Sequence, residues 1–212
     1  MEKRFWIILA VVVAAMIGFF IVTGEKKNSA DDANTSRSNN VYGKADSKVT
    51  LTEFVDFQCE ACYAFYPVVK EVKELYKDKV RFEIRNFPIS SSHQFSMQAA
   101  RNAEAAAKQG KFFEMHDKIF EGQKMWEQTQ NPQQMFDQYA EEIGLNMDQF
   151  RKDLPTQAVN DAINGDLKAV KEIGGTGTPT FTLNGKKLEQ NPQTKEGFIK
   201  LLDDALKESE KQ

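Results

Sequence analysis

The hydrophobic positions of this chain change their period several times, and each change predicts a different element. Residues 49–57 (VTLTEFVDF) form a short run rich in β-branched and aromatic side chains, which is typical of a buried strand. Apolar residues then recur at helical spacing up to residue 77, and residues 80–87 alternate like a second strand. This part of the chain therefore predicts a β-α-β unit.

The middle of the chain shows helical patterns, and β structure returns only near the end. The predicted helices cover residues 94–108, 111–120, 132–143, 147–154 and 156–173. A short strand over residues 180–183 leads into Asn184-Gly185, a strong hairpin turn, and into a partner strand over residues 186–188. An amphipathic helix over residues 194–207 follows. The predicted fold class is α/β, in the order β-α-β, a helical block, and β-β-α.

A long apolar segment lies near the N-terminus. Residues 5–22 are 18 apolar residues without a charge, preceded by Lys3 and Arg4. At about 1.5 Å per residue, a helix of this length spans roughly 27 Å, enough for the hydrocarbon core of a membrane. A cleavable signal peptide is the alternative, although its apolar region is usually only about 7–15 residues. We expect residues 1–24 to be an uncleaved transmembrane anchor.

The remaining sequence predicts one domain joined to this anchor by a linker. Residues 25–40 are polar without apolar periodicity, which predicts a flexible linker, and the folded domain should cover residues 41–212. A length of 212 residues suits one domain with a short appendage. The net charge of −3 gives no electrostatic reason to expect nucleic acid as a partner.

The two cysteines of the chain lie together in Cys59-Glu60-Ala61-Cys62. A bridge across two intervening residues closes almost no loop and adds little stability, so the pair is interpreted as chemical rather than structural. Cys59 falls where the first strand passes into the helix, facing unpaired N–H groups and the positive end of the helix dipole, which favour the nucleophilic thiolate. Cys62, one helical turn later, is placed to attack a mixed disulfide and release the product.

A zinc site is the alternative interpretation of a C-x-x-C sequence, which forms half of many such sites. The second half is missing, because His93 and His116 are the only histidines and lie 23 positions apart. We therefore expect no metal and no cofactor other than the redox-active pair itself.

The residues around the cysteines resemble the thioredoxin active-site region. Glu53 lies six positions before Cys59 in the run that ends VDFQCEAC, and Pro67 lies five positions after Cys62. The stretches SSHQFSMQAARNAEAAAKQGKFFEMHDKIFE and GTGTPTFTLNGKKL resemble the DsbA-like thiol:disulfide oxidoreductases of that superfamily. The resemblance covers residues 41–207 and implies a thioredoxin-like fold with a helical insertion at about residues 92–174.

The resemblance also implies roles for individual residues. Cys59 matches the exposed nucleophilic cysteine, and Cys62 matches the buried resolving one. Glu53 matches a buried acid that assists proton transfer at the inner cysteine; a solvent-facing strand position is its alternative. Pro179 matches a proline that has a cis peptide bond and faces the disulfide, and the substrate chain is expected to bind beside Thr178.

Two departures from the family bear on redox tuning. The strongest oxidants carry a histidine between the cysteines, where this chain has Glu60-Ala61, and a valine in place of Thr178. A carboxylate beside the sulfur is expected to raise the pKa of Cys59 and to make the disulfide less oxidising. The direction of electron flow is therefore left open.

The resemblance implies an enzyme that forms disulfides in exported polypeptides with free thiols. We expect a monomer in the cell membrane, with a single span and the catalytic domain on the extracytoplasmic side. A membrane quinone-linked reoxidase of the DsbB or VKOR type would recycle it. An extracytoplasmic reductase or isomerase is one alternative, and a non-catalytic thioredoxin-fold binding or chaperone module is another.

Overall fold

The structure, a computed structural model, describes residues 37–211. A central mixed β-sheet of five strands organises this region. Its strands are β1 (Asn40–Gly43), β2 (Thr50–Val55), β3 (Arg81–Asn86), β4 (Thr180–Leu183) and β5 (Lys186–Lys187), in the spatial order β1-β3-β2-β4-β5. Strands β2 and β3 run parallel, whereas the pairs β1–β3, β2–β4 and β4–β5 are antiparallel.

The helices follow the predicted order. Helix α1 (Glu60–Tyr76) connects the two parallel strands, and α8 (Lys195–Ser209) follows β5. Between β3 and β4 lie α2 (Ser96–Ala107), α3 (Phe112–Glu121), α4 (Gln123–Trp126), α5 (Gln133–Glu142), α6 (Met147–Asp153) and α7 (Gln157–Glu172). The predicted sequence of a β-α-β unit, a helical block and a β-β-α unit is confirmed.

The alternation of side chains along β2 decides what each face of the sheet contacts. Leu51 belongs to a hydrophobic cluster that also contains Val72 of α1 and Leu202 of α8. Phe54 points the other way and packs with Val170 of α7. Because successive strand residues point to opposite faces, Glu53 shares the face of Leu51 and is covered by α1.

The helical block has its own core, which is continuous with the region of the cysteines. Its fully buried members include Trp126, Phe136 and Phe150. The same cluster contains Phe57 and Cys62, so the insertion packs directly against the strand-to-helix junction.

The structure contains two elements that the hydrophobic pattern does not predict. Strand β1 begins at Asn40, and the folded region reaches back to Ser38, inside the segment predicted as a linker. The Asn40 amide donates to Glu104 (2.7 Å) and the Ser38 hydroxyl donates to Asp166 (2.6 Å). These buried contacts are polar, so they leave no apolar pattern. Helix α4 is too short to show a helical period.

The predicted membrane anchor, residues 1–24, lies outside the described residues, as does most of the predicted linker. Within residues 37–211, none of the helices combines the length and the apolar character that crossing a membrane requires.

Candidate functional site

Both cysteines lie where β2 passes into α1. Cys59 is the N-cap of α1, with an extended backbone (φ −74°, ψ 125°), and Cys62 lies in the first turn. Both are free thiols; Cys62 is fully buried, whereas Cys59 is partly exposed. The predicted location of the pair at a strand-to-helix junction is confirmed.

The surroundings of Cys59 favour its thiolate. Its pKa is lowered to about 5, chiefly because the Cys62 thiol donates a hydrogen bond to its sulfur. Partial burial opposes this change, and Thr178 and the backbone N–H groups of Cys62 and Ala61 add to it. Ala61 therefore acts through its backbone, because its N–H lies in the first turn of α1.

The Cys62 thiol behaves in the opposite way. Burial is the largest reason why its pKa lies well above the ordinary value, followed by its hydrogen bond to Cys59 and the nearby charges of Cys59 and Glu53. The two thiols therefore differ strongly in acidity, and the more accessible one is the more acidic.

Glu60, which lies between the two cysteines, extends into solvent. Its side chain is 86% exposed, and its carboxylate accepts a hydrogen bond from Lys124 Nζ at 3.1 Å. Solvent and this lysine screen its charge. The expected effect of this carboxylate stays a prediction. The pKa of Cys59 is lowered overall, because the Cys62 hydrogen bond and the helix N–H groups act on the sulfur directly.

Glu53 lies on β2 beneath α1, and the solvent-facing alternative for this residue is wrong. Its side chain is buried, and burial raises its pKa to about 8, opposed by the positive charge of Lys73. Lys73 is itself buried in α1, with Nζ 5.2 Å from the centre of the Tyr42 ring and 4.7 Å from that of Phe113. Burial lowers the pKa of Lys73.

A cavity of about 10 Å³ lies beside Glu53, between α1 and α3, and is lined by Lys73 and His116 among others. His116 is buried against Phe57 and Phe120, and its Nδ1 lies 2.9 Å from Asp117. Burial is the main reason why the pKa of His116 is lowered to about 4. His116 therefore packs among aromatic side chains of the core.

Thr178 and Pro179 lie opposite the cysteines, because β4 pairs with β2 in the sheet. The Thr178–Pro179 peptide bond is cis, as predicted. The Cys59 thiol lies 3.5 Å from the Thr178 carbonyl oxygen. Asn191 Nδ2 donates to the Pro179 carbonyl oxygen at 2.9 Å.

The loop between β2 and α1 is held by two residues that the sequence does not single out. Asp56 is buried and accepts hydrogen bonds from the backbone N–H of Gln58 (2.8 Å) and Ile89 (2.7 Å), and its carboxylate lies 2.8 Å from His93 Nδ1. Gln123 of α4 contacts the same loop from the helical insertion.

Within residues 37–211, no group of three or more His, Cys, Asp or Glu side chains is arranged to hold a metal ion. The chemistry that the described site offers is that of two unequal thiols, a buried acid and a nearby backbone carbonyl.

Solved structures share this architecture. A thioredoxin-like oxidoreductase from Silicibacter pomeroyi DSS-3 is 25% identical, with a TM-score of 0.66 over 79% of this chain and 91% of that one. BdbD from Bacillus subtilis, in its oxidised form, is 23% identical, with a TM-score of 0.68 over 79% and 92%. The thiol-disulfide exchange protein α-DsbA2 from Wolbachia pipientis is 20% identical, with a TM-score of 0.64 over 86% and 99%.

The sequence is also similar to curated proteins and to a family model. The Na⁺/H⁺ antiporter NhaA 3 from Salinispora tropica is 35% identical over 147 residues, which are 69% of this chain and 22% of the antiporter. The chain thus spans less than a quarter of the length of the curated relatives it matches. Residues 35–204 match the family model Thioredoxin_4, described as thioredoxin. The chain therefore belongs to the thioredoxin family.

Proposed function

We propose that the protein forms disulfides in exported polypeptides, with Cys59 as the attacked cysteine and Cys62 as its resolving partner. One observation carries the proposal. The partly exposed Cys59 thiol has a pKa of about 5, whereas burial keeps the pKa of Cys62 well above its ordinary value. A stable thiolate favours the dithiol form of the enzyme and makes its disulfide the stronger oxidant.

The reaction begins with the Cys59–Cys62 disulfide. A substrate thiolate attacks Cys59 Sγ, a mixed disulfide forms, and Cys62 leaves as a thiolate. Glu53, with a pKa of about 8, is protonated at neutral pH and supplies the proton that Cys62 takes up. A second substrate thiolate then attacks the substrate sulfur of the mixed disulfide. The substrate leaves as a disulfide, and two electrons stay on the enzyme as a Cys59 thiolate and a Cys62 thiol.

The substrate chain binds in extended form beside Thr178 and Pro179. The Thr178 carbonyl, 3.5 Å from the Cys59 thiol, supports this placement, because a backbone carbonyl next to the sulfur can accept a strand-like hydrogen bond. Backbone contacts carry no sequence information, so the range of substrates is broad.

A reductase or isomerase is the second candidate, and the reduction potential separates it from an oxidase. Thiol pKa values are about 7 in thioredoxin and about 3.5 in DsbA, so a value of about 5 favours an oxidant of intermediate strength. Equilibration with glutathione should give a potential between about −270 mV, as in thioredoxin, and about −120 mV, as in DsbA. A potential at or below the thioredoxin value would support a reductase.

Cysteine variants test the division of labour. With a two-cysteine polypeptide in its disulfide form, reduced Cys59→Ser should form no mixed disulfide. The Cys59 thiolate of reduced Cys62→Ser should attack the polypeptide disulfide and trap the mixed disulfide, because only the Cys59 sulfur is both accessible and activated. Mass spectrometry of acid-quenched reactions measures both. Wild-type protein in its Cys59–Cys62 disulfide form that leaves the reduced polypeptide unoxidised would instead support a non-catalytic binding or chaperone module.

We further propose that residues 5–22 anchor the enzyme in the cell membrane, with its domain on the extracytoplasmic side. A quinone-linked reoxidase of the DsbB or VKOR type would remove the two electrons. The apolar run supports the anchor. Membrane fractionation followed by N-terminal sequencing tests it, because a soluble form that begins near residue 25 would identify a cleaved signal peptide instead.

A further inference from the structure

Gln123 extends a buried amide from the helical insertion to the loop that carries the cysteines. The side chain lies in α4 and is fully buried. Its Nε2 donates hydrogen bonds to the carbonyl oxygens of Phe57 (2.8 Å) and Cys59 (3.3 Å). These carbonyls flank Gln58 and lie at the point where the strand turns into the helix.

The orientation of this amide is fixed by its two partners. Both are carbonyl oxygens, which only accept hydrogen bonds, so a flipped amide would place its own oxygen against them. In the observed orientation Gln123 Oε1 is buried without a hydrogen-bond partner among the described residues. Burying an acceptor without a hydrogen bond costs free energy. The orientation that makes the two hydrogen bonds to the loop therefore also carries this cost.

The backbone that carries Gln123 is held in place as well. Trp126 is fully buried, and its Nε1 donates to the Ile119 carbonyl oxygen at 2.7 Å. At Gly122, an added Cβ would lie 1.9 Å from the Tyr139 hydroxyl oxygen, so the chain passes close to α5 there. The amide of Gln123 therefore reaches the loop from a closely packed part of the insertion.

The Cys59 carbonyl is one determinant of how the cysteine sits on the helix. It accepts the hydrogen bond from Tyr63 N (3.0 Å), at the start of α1, while the Cys59 backbone remains extended. In this conformation the sulfur faces the N–H groups of Ala61 and Cys62. A change of ψ at Cys59 would turn both its carbonyl and the following peptide away from these positions.

We propose that Gln123 is a positioning residue, which holds the loop between β2 and α1 so that Cys59 caps α1 with its sulfur toward the helix N–H groups. The inference rests on the proposed function, since it assigns to the helical insertion a direct influence on the thiol chemistry. The alternative is that Gln123 only fills space in the core, with no influence on the sulfur.

A matched pair of variants in the full-length protein separates these roles. Gln123→Met keeps the length of the side chain and removes the amide. Gln133→Met is the control, because Gln133 lies in the same insertion and its Nε2 donates to Asn102 (2.9 Å) and Asp137 (2.8 Å), away from the cysteine loop. The thiolate absorbance of the reduced protein is titrated, and the melting temperature of each variant is recorded.

Gln123→Met should raise the pKa of Cys59 by about one unit, which is a tenfold change in its acid dissociation constant. The equilibrium with glutathione should shift toward the enzyme disulfide in the same sense. Gln133→Met should leave both quantities unchanged even where it lowers the melting temperature. A folded Gln123→Met protein with an unchanged Cys59 pKa would overturn the proposal.

A measurement on the wild-type protein covers the case in which Gln123→Met does not fold. The side-chain amide protons of Gln123 should change their NMR shifts as Cys59 titrates, and those of Gln133 should not. An unresponsive Gln123 amide would overturn the proposal. Neither titration needs a substrate, so failure of wild-type turnover would count against the proposed function and not against the role of Gln123.

Discussion

Glu53 is a carboxylic acid that stays protonated at neutral pH. It is buried on the face of the sheet that α1 covers, and Lys73 offsets only part of the cost of charging it, so its pKa is about 8. Burial is the main reason for the raised pKa of Cys62, and the charge of ionised Glu53 adds to it, so the two groups interact. In the proposed reaction Glu53 can therefore give a proton to the Cys62 thiolate and take one back from the thiol.

We expect Glu53→Gln to slow the attack of Cys62 on a mixed disulfide by at least about tenfold, because an amide cannot accept the Cys62 proton. In the wild-type protein the rate should rise as the pH passes through about 8, where Glu53 ionises. Stopped-flow fluorescence of a labelled Cys59 mixed disulfide measures this rate. If Glu53→Gln keeps the inflection near pH 8, another group must be the base.

The low pKa of Cys59 makes the stability of the reduced protein depend on pH. The folded value of about 5 lies below the value of about 8.5 for an unfolded cysteine, so the thiolate favours the folded state. This stabilisation is complete above about pH 8.5 and is lost as the pH falls through about 5. After a discount for solvent screening of the partly exposed group, we expect about 1–2 kcal/mol at pH 7.

Chemical denaturation of the reduced protein and of Cys59→Ser checks this expectation. The difference between their free energies of unfolding should shrink by about 1–2 kcal/mol between pH 7 and pH 4. A difference that stays constant over that interval would contradict the stabilising role of the thiolate.

At the scale of elements, the short helix α4 depends on a close approach between Gly122 and the Tyr139 side chain. Gly122 precedes it at a point where a side chain would meet Tyr139: an added Cβ would lie 1.9 Å from the hydroxyl oxygen and 2.7 Å from ring carbon Cζ. Glycine is needed here because of space rather than backbone angle, since its φ is −90°.

We expect Gly122→Ala to destabilise the protein by about 1–3 kcal/mol, because the methyl group must displace the Tyr139 ring in a packed core. Tyr139→Phe should reduce that cost in the double variant, since it removes the atom closest to the new methyl group. Gly177→Ala is the control, because an added Cβ there meets no heavy atom within 4 Å. Equal costs of Gly122→Ala with and without the Tyr139 hydroxyl would contradict this explanation.

The elements with a strong apolar period could be predicted from the sequence, and the missed ones lack such a period. Strand β2 and helix α1 were predicted with bounds within about two residues, because their apolar stripes face a core. Strand β1 is held by polar contacts of Ser38 and Asn40, and α4 covers a single turn. Neither leaves a periodic pattern.

The candidate site was predictable where the chain places its residues close together. The C-x-x-C pair and the strand before it are contiguous, so their junction follows from local pattern. Asp56 and Gln123 act through partners distant in sequence, which single-sequence reasoning does not reveal. The burial of Lys73 was predictable from the sequence, because Lys73 falls at helical spacing with the apolar residues Val69 and Tyr76, which are buried.

At the scale of the whole molecule, a buried polar network joins the sheet to the helical insertion. Asn86 of β3 donates from its Nδ2 to Glu104 of α2 (2.7 Å) and to Asp166 of α7 (3.2 Å). Ser38 and Asn40 bind the same two carboxylates from the start of the described chain. Burial raises the pKa of Glu104 to about 7 and also raises that of Asp166.

We expect Asn86→Ala to lower the free energy of unfolding by about 2–4 kcal/mol at pH 8, because two buried carboxylates lose a donor. The decrease in unfolding free energy should be smaller at pH 5, where the Glu104 carboxyl is protonated and depends less on a hydrogen-bond donor. Urea denaturation at both values measures it. Asn160→Ala, which removes an exposed contact to Arg101, should cost less than about 1 kcal/mol. An Asn86→Ala cost independent of pH would exclude Glu104 as the reason.

The edge of the sheet formed by β5 is of a kind that opposes aggregation. Strand β5 consists of two residues, Lys186 and Lys187, and its far side has no neighbouring strand in the described sheet. An open strand edge is a template on which extended chains can stack, and short, lysine-bearing edges oppose such growth because the charges repel and resist dehydration. The proposed substrates are exported polypeptides that bind in extended form. We expect the lysine edge to keep the protein from seeding aggregation of such chains.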